Sequence, residues 1–135
     1  IMKKRDGKYY VYGKLWHKHG KECYAEIKRD YTRFMAGKCP VEDNADNGFV
    51  ANDLVQNGIR AYSYHEYMNK HIKITTYLLK IWNDIIFVDG TDKEYIEQIC
   101  DYNEDAEHDD APDSCSCLAR ELCDTKESTY KPLWN

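Results

Sequence analysis

Apolar and polar residues alternate along the first two thirds of the chain in a way that predicts several short β-strands. Residues 8–17 are rich in aromatic side chains typical of strands, and 22–34 alternate after a turn at 19–21, so these segments predict a hairpin. Asn57-Gly58 is a second hairpin turn signal. Further short strands are predicted at 49–55, 59–68, 71–82 and 85–88. The first of these and the end of 71–82 fit a helix equally well.

The last third of the sequence changes to helical patterning. Thr91 is a suitable N-cap for a helix ending at Cys100, and a second helix is predicted from Asp113 or Ser114 through Cys123. Between them, residues 101–113 contain seven acidic residues and should be solvated and mobile.

The chain of 135 residues is therefore predicted to be one domain, 1–135, of the α+β class. The expected architecture is an antiparallel sheet that curls, or closes into a barrel. Two short helices follow it in the C-terminal segment 91–135.

Six cysteines form an even set without the Cys-x-x-Cys spacing of a zinc or redox site. The number predicts three disulfides that staple the fold, and hence an oxidising, extracellular location; six buried thiols in a cytosolic protein are the alternative. Cys115 and Cys117 are expected to reach different partners. The pairing is otherwise open. The predicted disulfide cysteines are Cys23, Cys39, Cys100, Cys115, Cys117 and Cys123.

Charge is distributed unevenly along the chain. Residues 1–38 hold eleven Lys and Arg against four Asp and Glu, whereas 39–135 hold eight against twenty. The basic, tyrosine-rich start suits an anionic partner, but the net charge of −5 and the oxidising context argue against nucleic acid and favour a sulfated glycan or an acidic protein surface. No apolar stretch is long enough to span a membrane, and the opening residues lack the apolar run of a signal peptide, so a mature secreted form is expected.

Catalytic and metal-binding motifs are weak in this sequence. The acidic segment 43–48 resembles a calcium loop, but the twelfth position of the register is Leu54 instead of a glutamate. His17 and His19 have no local third ligand, so no metal site and no cofactor are predicted. A Gly-x-Ser-x-Gly elbow, a phosphate-binding loop and a His-Glu-x-x-His motif are all missing.

Two groups of residues resemble the salivary lipocalins of blood-feeding ticks, the histamine-binding type. The first is Tyr9–Tyr12 followed by Gly20-Lys21-Glu22-Cys23. The second is Pro112-Asp113 with Cys115, Cys117, the predicted helix and Tyr130. The resemblance covers about a third of the chain. The chain is shorter than such barrels, and the acidic run replaces one of their strands.

The resemblance implies a ligand cavity inside a barrel, lined by aromatic rings and one or two acids that receive a small amine or a lipid. Aromatic faces attract ammonium groups, and a buried carboxylate supplies a charge-assisted hydrogen bond. Ordinary packing is the alternative role of each candidate. The ligand-binding candidates are Tyr12, Trp16, Tyr62, Tyr64, Glu66 and Trp82.

The resulting hypothesis is a secreted, non-enzymatic binding protein that sequesters a small host mediator or a partner protein. One alternative is an inhibitor or immunomodulator without a pocket, which contacts its target through Arg60 and the nearby tyrosines or through strand 8–17. Another is a secreted hydrolase such as a ribonuclease, which requires at least two of four groups to converge. Those groups are His17, His65, Glu66 and His71. Oligomeric state is left open.

Overall fold

The structure is a computed structural model that describes residues 1–43 and 47–124. It divides into two compact units. Unit 1 comprises Ile1 and Lys14–Asn69, and unit 2 comprises Met2–Gly13 and the chain from Lys70 onward. The centre of the calcium-like segment 43–48 and the predicted late tyrosine, Tyr130, lie outside the described residues.

Helices and short strands alternate along the chain. In order, the elements are β1 (Met2–Arg5), β2 (Lys8–Val11), α1 (Gly20–Arg33), β3 (Cys39–Glu42), α2 (Phe49–Gln56), β4 (Ala61–Tyr64), α3 (Lys70–Lys73), a π-helical turn (Ile74–Leu78), α4 (Leu79–Ile81), a 3-10 turn (Trp82–Asp84), β5 (Ile85–Phe87), α5 (Lys93–Cys100) and α6 (Asp110–Asp124). None of the described helices is long and apolar enough to cross a bilayer.

The predicted strand 22–34 is wrong, because this segment forms α1 in unit 1. Its residues at helical spacing contact the end of α2 and the loop after it: the Tyr24 hydroxyl donates to the Asp53 carboxylate (3.2 Å) and Lys28 Nζ donates to the Gly58 carbonyl (2.7 Å). Tyr24 and Lys28 are four residues apart, so they would share a face in a strand as well as in a helix. Alternation of apolar and polar residues therefore did not distinguish the period of a strand from that of a helix.

The hairpin predicted at Asn57-Gly58 is also wrong. Asn57 ends α2, Gly58 takes a left-handed conformation (φ +78°), and the Ile59 N–H returns to the Leu54 carbonyl (3.0 Å). Gly at this position terminates a helix for the same reason that it favours a hairpin turn, its tolerance of positive φ. The result is a parallel pair, β3 beside β4, joined through α2.

Unit 2 contains a mixed sheet in the order β1-β2-β5. Asp6 and Gly7 both have positive φ (50° and 75°) in the two-residue turn between β1 and β2, the geometry that Asp-Gly favours in a hairpin. β5 lies parallel to β2, with Tyr10 opposite Ile86. The short strand predicted at 85–88 is thus confirmed, but the antiparallel barrel is wrong.

The segment 71–82, predicted as a strand, is helical throughout as α3, the π-helical turn, α4 and the 3-10 turn. Its buried residues Ile74, Leu78 and Ile81 recur at intervals of four and three, which is the period of a helix. Ile81 belongs to a core cluster with Tyr9 of β2 and Ala119 of α6. The sheet is therefore covered by helices from two parts of the chain, and not only by the two C-terminal helices expected.

Both predicted C-terminal helices are present as α5 and α6. Asp92 is the N-cap of α5, one residue after the predicted Thr91. α6 begins at Asp110, three or four residues before the predicted start at Asp113 or Ser114, and accommodates Pro112 in its first turn, where no intrahelical N–H bond is required. Part of the predicted acidic loop 101–113 is consequently helical.

The prediction of a disulfide-stapled fold is wrong, since all six cysteines are free thiols in this structure. Three of them share α6 at positions 115, 117 and 123. Neighbours two apart on a helix point to different sides, and a separation of six residues spans about 9 Å, beyond the roughly 7 Å that a disulfide can bridge. The remaining thiols are Cys23, Cys39 and Cys100.

A buried ion pair joins the start of the helical segment to α6. Lys73 is 1% exposed, and its Nζ lies 2.6 Å from Oδ1 of Asp113. Lys70 Nζ lies 3.9 Å from the other carboxylate oxygen of Asp113 and 3.2 Å from Oδ1 of Asp109. Asp113 also stands in the first turn of α6, where the helix dipole favours a negative charge.

We predict that Lys73→Met lowers the free energy of unfolding by about 3–5 kcal/mol, because it leaves the Asp113 carboxylate without its buried counter-ion. Urea denaturation followed by circular dichroism measures the change. Lys73→Met combined with Asp113→Leu is the control and should recover part of the loss. A single variant as stable as the parent would contradict the ion pair.

A second prediction concerns alkaline stability. Burial raises the pKa of the Cys115 thiol to about 11, whereas an unfolded cysteine titrates near 8.5. The folded thiol keeps a proton that the unfolded chain loses, so stability is complete below pH ~8.5 and falls by about 3 kcal/mol as the pH rises to ~11. Between pH 8 and pH 10.5, the urea midpoint should fall less in Cys115→Ala than in the parent protein. An equal fall in both proteins would contradict the raised pKa of the Cys115 thiol.

Candidate functional site

A groove in unit 2 is the candidate site. It runs along the helical segment that contains the π-helical turn, is closed on its other side by the end of α5 and the residues after it, and has a volume of about 200 Å³. Single π-helical turns are rare and recur at functional sites. The lining residues are His71, Ile74, Thr75, Leu78, Leu79, Trp82, Ile99, Cys100, Tyr102 and Asn103.

The floor of the groove is apolar and buried, whereas its rim is open to solvent. Ile74, Leu78 and Ile99 are each at most 3% exposed, so they form the floor. Leu79 is 62% exposed and Trp82 39% exposed at the rim. An apolar floor beneath exposed apolar side chains favours the entry of an apolar group from solvent.

One end of the groove is polar. Nδ1 of His71 and the hydroxyl of Tyr102 share a hydrogen bond of 2.9 Å, and the two rings lie 5.9 Å apart. Nε2 of His71 is 3.9 Å from the Glu104 carboxylate. Thr75, in the π-helical turn, donates its hydroxyl to the His71 carbonyl of α3 (2.8 Å), which satisfies that backbone oxygen.

Negative charge gathers around this polar end. Burial raises the pKa of the Tyr102 hydroxyl, and the neighbouring carboxylates of Asp109 and Glu104 raise it further, against a smaller opposing effect of Lys70. Tyr102 therefore remains a neutral phenol that can donate or accept a hydrogen bond. The groove combines an apolar floor with hydrogen-bonding groups at one end.

The six ligand-binding candidates predicted from the sequence do not gather in this groove. Trp82 lines it, whereas Tyr12, in the same unit, is buried and is not among its lining residues. The other four candidates belong to unit 1. Trp16 donates from Nε1 to Glu26 (2.8 Å), and Glu66 accepts the Met68 N–H (3.0 Å).

The histidines that a hydrolase would need have local partners. Nδ1 of His65 lies 3.2 Å from the Asp43 carbonyl, and its ring stacks edge-on against Tyr67 at 4.5 Å. His71 is bound to Tyr102 in the groove. The residues that the structure describes contain no cluster of three His, Cys, Asp or Glu side chains able to hold a metal ion.

Nine of the ten lining residues were missed by the sequence analysis as ligand contacts. The signal that identifies three of them is helical spacing: His71, Ile74 and Leu78, together with Trp82, recur every three or four residues and so share one helix face. Ile99 lies in the predicted helix that ends at Cys100, and Tyr102 follows that helix. Their proximity to the segment 71–82 is a tertiary contact that no local pattern encodes.

Comparison with known proteins gives no independent guide: no protein-family model, curated protein or solved structure matches this chain. The resemblance to the tick lipocalins stays a prediction about the sequence, and the barrel that it implied is absent from the described residues.

The groove predicts a ranking of thiol reactivity. Cys100 is exposed on the groove, whereas Cys115 is fully buried and holds its proton. N-ethylmaleimide under native conditions should therefore modify Cys100 first and Cys115 last, as read by peptide mass spectrometry. Cys100→Ser removes the fast phase. If Cys115 reacted as fast as Cys100, the burial of α6 in this structure would be wrong.

Proposed function

We propose that this chain is a non-enzymatic binding protein whose groove in unit 2 receives a small amphipathic ligand. The observation that carries the proposal is the pairing, in one groove, of a buried apolar floor with the hydrogen-bonded pair His71 and Tyr102. Binding sites for small molecules share this composition: mostly apolar walls with a few polar groups that fix orientation.

The volume restricts the ligand. About 200 Å³ is less than the roughly 300–1,000 Å³ of sites that enclose a drug-sized molecule. A single ring or a short alkyl group therefore enters the groove, while a long lipid chain is too large. The polar head of the ligand faces His71 and Tyr102. Both the head and these two side chains then keep hydrogen-bond partners.

A partner protein that inserts one apolar side chain is the second candidate occupant. Leu79 and Trp82 at the rim are apolar side chains exposed to solvent. Exposed apolar side chains around a pocket are typical of protein interfaces. Secretion stays a prediction for both candidate functions. The cysteines are free thiols, so disulfides do not support an extracellular location.

The proposal is tested with p-cresol and toluene, which share a ring and differ in one hydroxyl. We expect p-cresol to bind with a roughly millimolar Kd, as its few atoms allow, and to shift the NMR methyl signals of Leu78 and Ile99. Leu79→Asp should abolish these shifts because it places a charge on the rim. Ile72→Asp, an exposed position on the same segment outside the lining, should leave them unchanged.

Tyr102→Phe separates the contribution of the polar end to ligand affinity from the contribution of the apolar floor. It removes the hydroxyl that pairs with His71, so p-cresol should lose most of its advantage over toluene, by about threefold to tenfold in Kd. If neither probe shifts Leu78 or Ile99, the groove does not receive small ligands and the proposal fails. If Ile72→Asp is as damaging as Leu79→Asp, binding occurs elsewhere.

A further inference from the structure

The outer edge of β1 is an open surface that the groove does not use. β1 is the terminal strand of its sheet and pairs with β2 alone among the residues described. The backbone groups of Met2–Arg5 that point away from β2 have no partner strand in the described ranges. Such an edge is a template for an additional strand.

Three consecutive basic residues define the charge of this edge. Lys3, Lys4 and Arg5 are all exposed, and alternation along a strand places Lys3 and Arg5 on one face and Lys4 on the other. Lys4 Nζ lies 5.7 Å from the ring centre of Tyr9. Arg5 is 3.8 Å from Asp6, a contact between two largely exposed groups that compensates little charge.

The face that carries Lys3 continues as an exposed row across the sheet. Lys3 lies opposite Tyr10, and Tyr10 lies opposite Ile86 of β5. Tyr10 is 37% exposed and Ile86 39% exposed. A strand added beside β1 would place alternate side chains next to Lys3 and Arg5, at the end of this row.

The charge selects the occupant. A second copy of β1 would bring six like charges together along one edge, which disfavours self-pairing. A strand with acidic residues at alternate positions would place its carboxylates on one face, beside Lys3 and Arg5. The backbone groups of the edge that pair with no strand among the described residues supply the hydrogen bonds that hold it in register.

We propose that the β1 edge binds an extended acidic segment of a partner protein by strand addition. The inference is independent of the groove and of its ligand. It assigns a use to the basic start of the chain, whose tyrosine-rich hairpin is cationic while the chain as a whole carries a net charge of −5.

Three eight-residue probe peptides test the proposal against the full chain: acetyl-(Glu-Val)4-amide, the same peptide with alternate backbone nitrogens methylated, and acetyl-(Lys-Val)4-amide. We expect the first to bind and to slow hydrogen exchange of those β1 amides that do not bond to β2, as measured by NMR. The methylated peptide keeps its charge but loses half of its donors, so it should bind at least about tenfold more weakly. The basic peptide should not bind.

Charge reversals at the edge and away from it complete the test. Lys3→Glu with Arg5→Glu should weaken binding of acetyl-(Glu-Val)4-amide at least about tenfold, whereas Lys93→Glu, an exposed reversal on α5 of the same unit, should change it by less than about twofold. Equal binding of the methylated peptide, or displacement of both acidic peptides by heparin with no exchange protection in β1, would overturn strand addition. So would an unchanged affinity in the double reversal.

Discussion

The ion pair between Lys73 and Asp113 is the interaction on which the groove depends. A lysine that is 1% exposed loses nearly all of its hydration, and a close carboxylate offsets that cost, here at 2.6 Å. The pair fixes α3 to the first turn of α6 immediately before the π-helical turn begins. Ile74, the next residue, is thereby held at the floor of the groove.

The position of the pair connects packing with binding. Ile74 and Leu78 sit one turn apart on the segment that the pair holds, and the same segment carries Ile81 into the core with Tyr9 and Ala119. Its inner face is therefore buried in the unit, while His71, Leu79 and Trp82 remain available to a ligand. One helical segment builds both the core and the site.

The sequence predicted some elements correctly and others not, for identifiable physical reasons. β5 was predicted because Asp89-Gly90 is a strong turn signal directly after a short apolar run. α5 and α6 were predicted from their helical patterning, although the predicted N-caps were one to four residues away from the observed helix starts. The segments 22–34 and 71–82 failed because their apolar residues fit a period of two almost as well as one of 3.6. Asp6-Gly7 is a sequence signal for a hairpin turn. The first strand was predicted only from the tyrosine-rich segment after this turn, so β1 was missed.

The candidate site was less predictable than the fold. Lys73 has the type of a surface residue, and its burial follows only from the arrival of Asp113 from forty residues away. Trp82 alone among the predicted ligand contacts lines the groove, because the candidates came from an expected barrel. The disulfides were predicted from the even number of cysteines, whereas burial, and not cross-linking, accounts for Cys23, Cys115 and Cys117.

The central claim, that a helical groove in unit 2 is the binding site, is tested most directly by intermolecular nuclear Overhauser effects between p-cresol and methyl-labelled protein. The account predicts contacts from the ring protons to the methyl groups of Ile74, Leu78 and Ile99. Contacts confined to methyl groups outside the groove, or β-strand rather than helical backbone signals across residues 71–82, would contradict it.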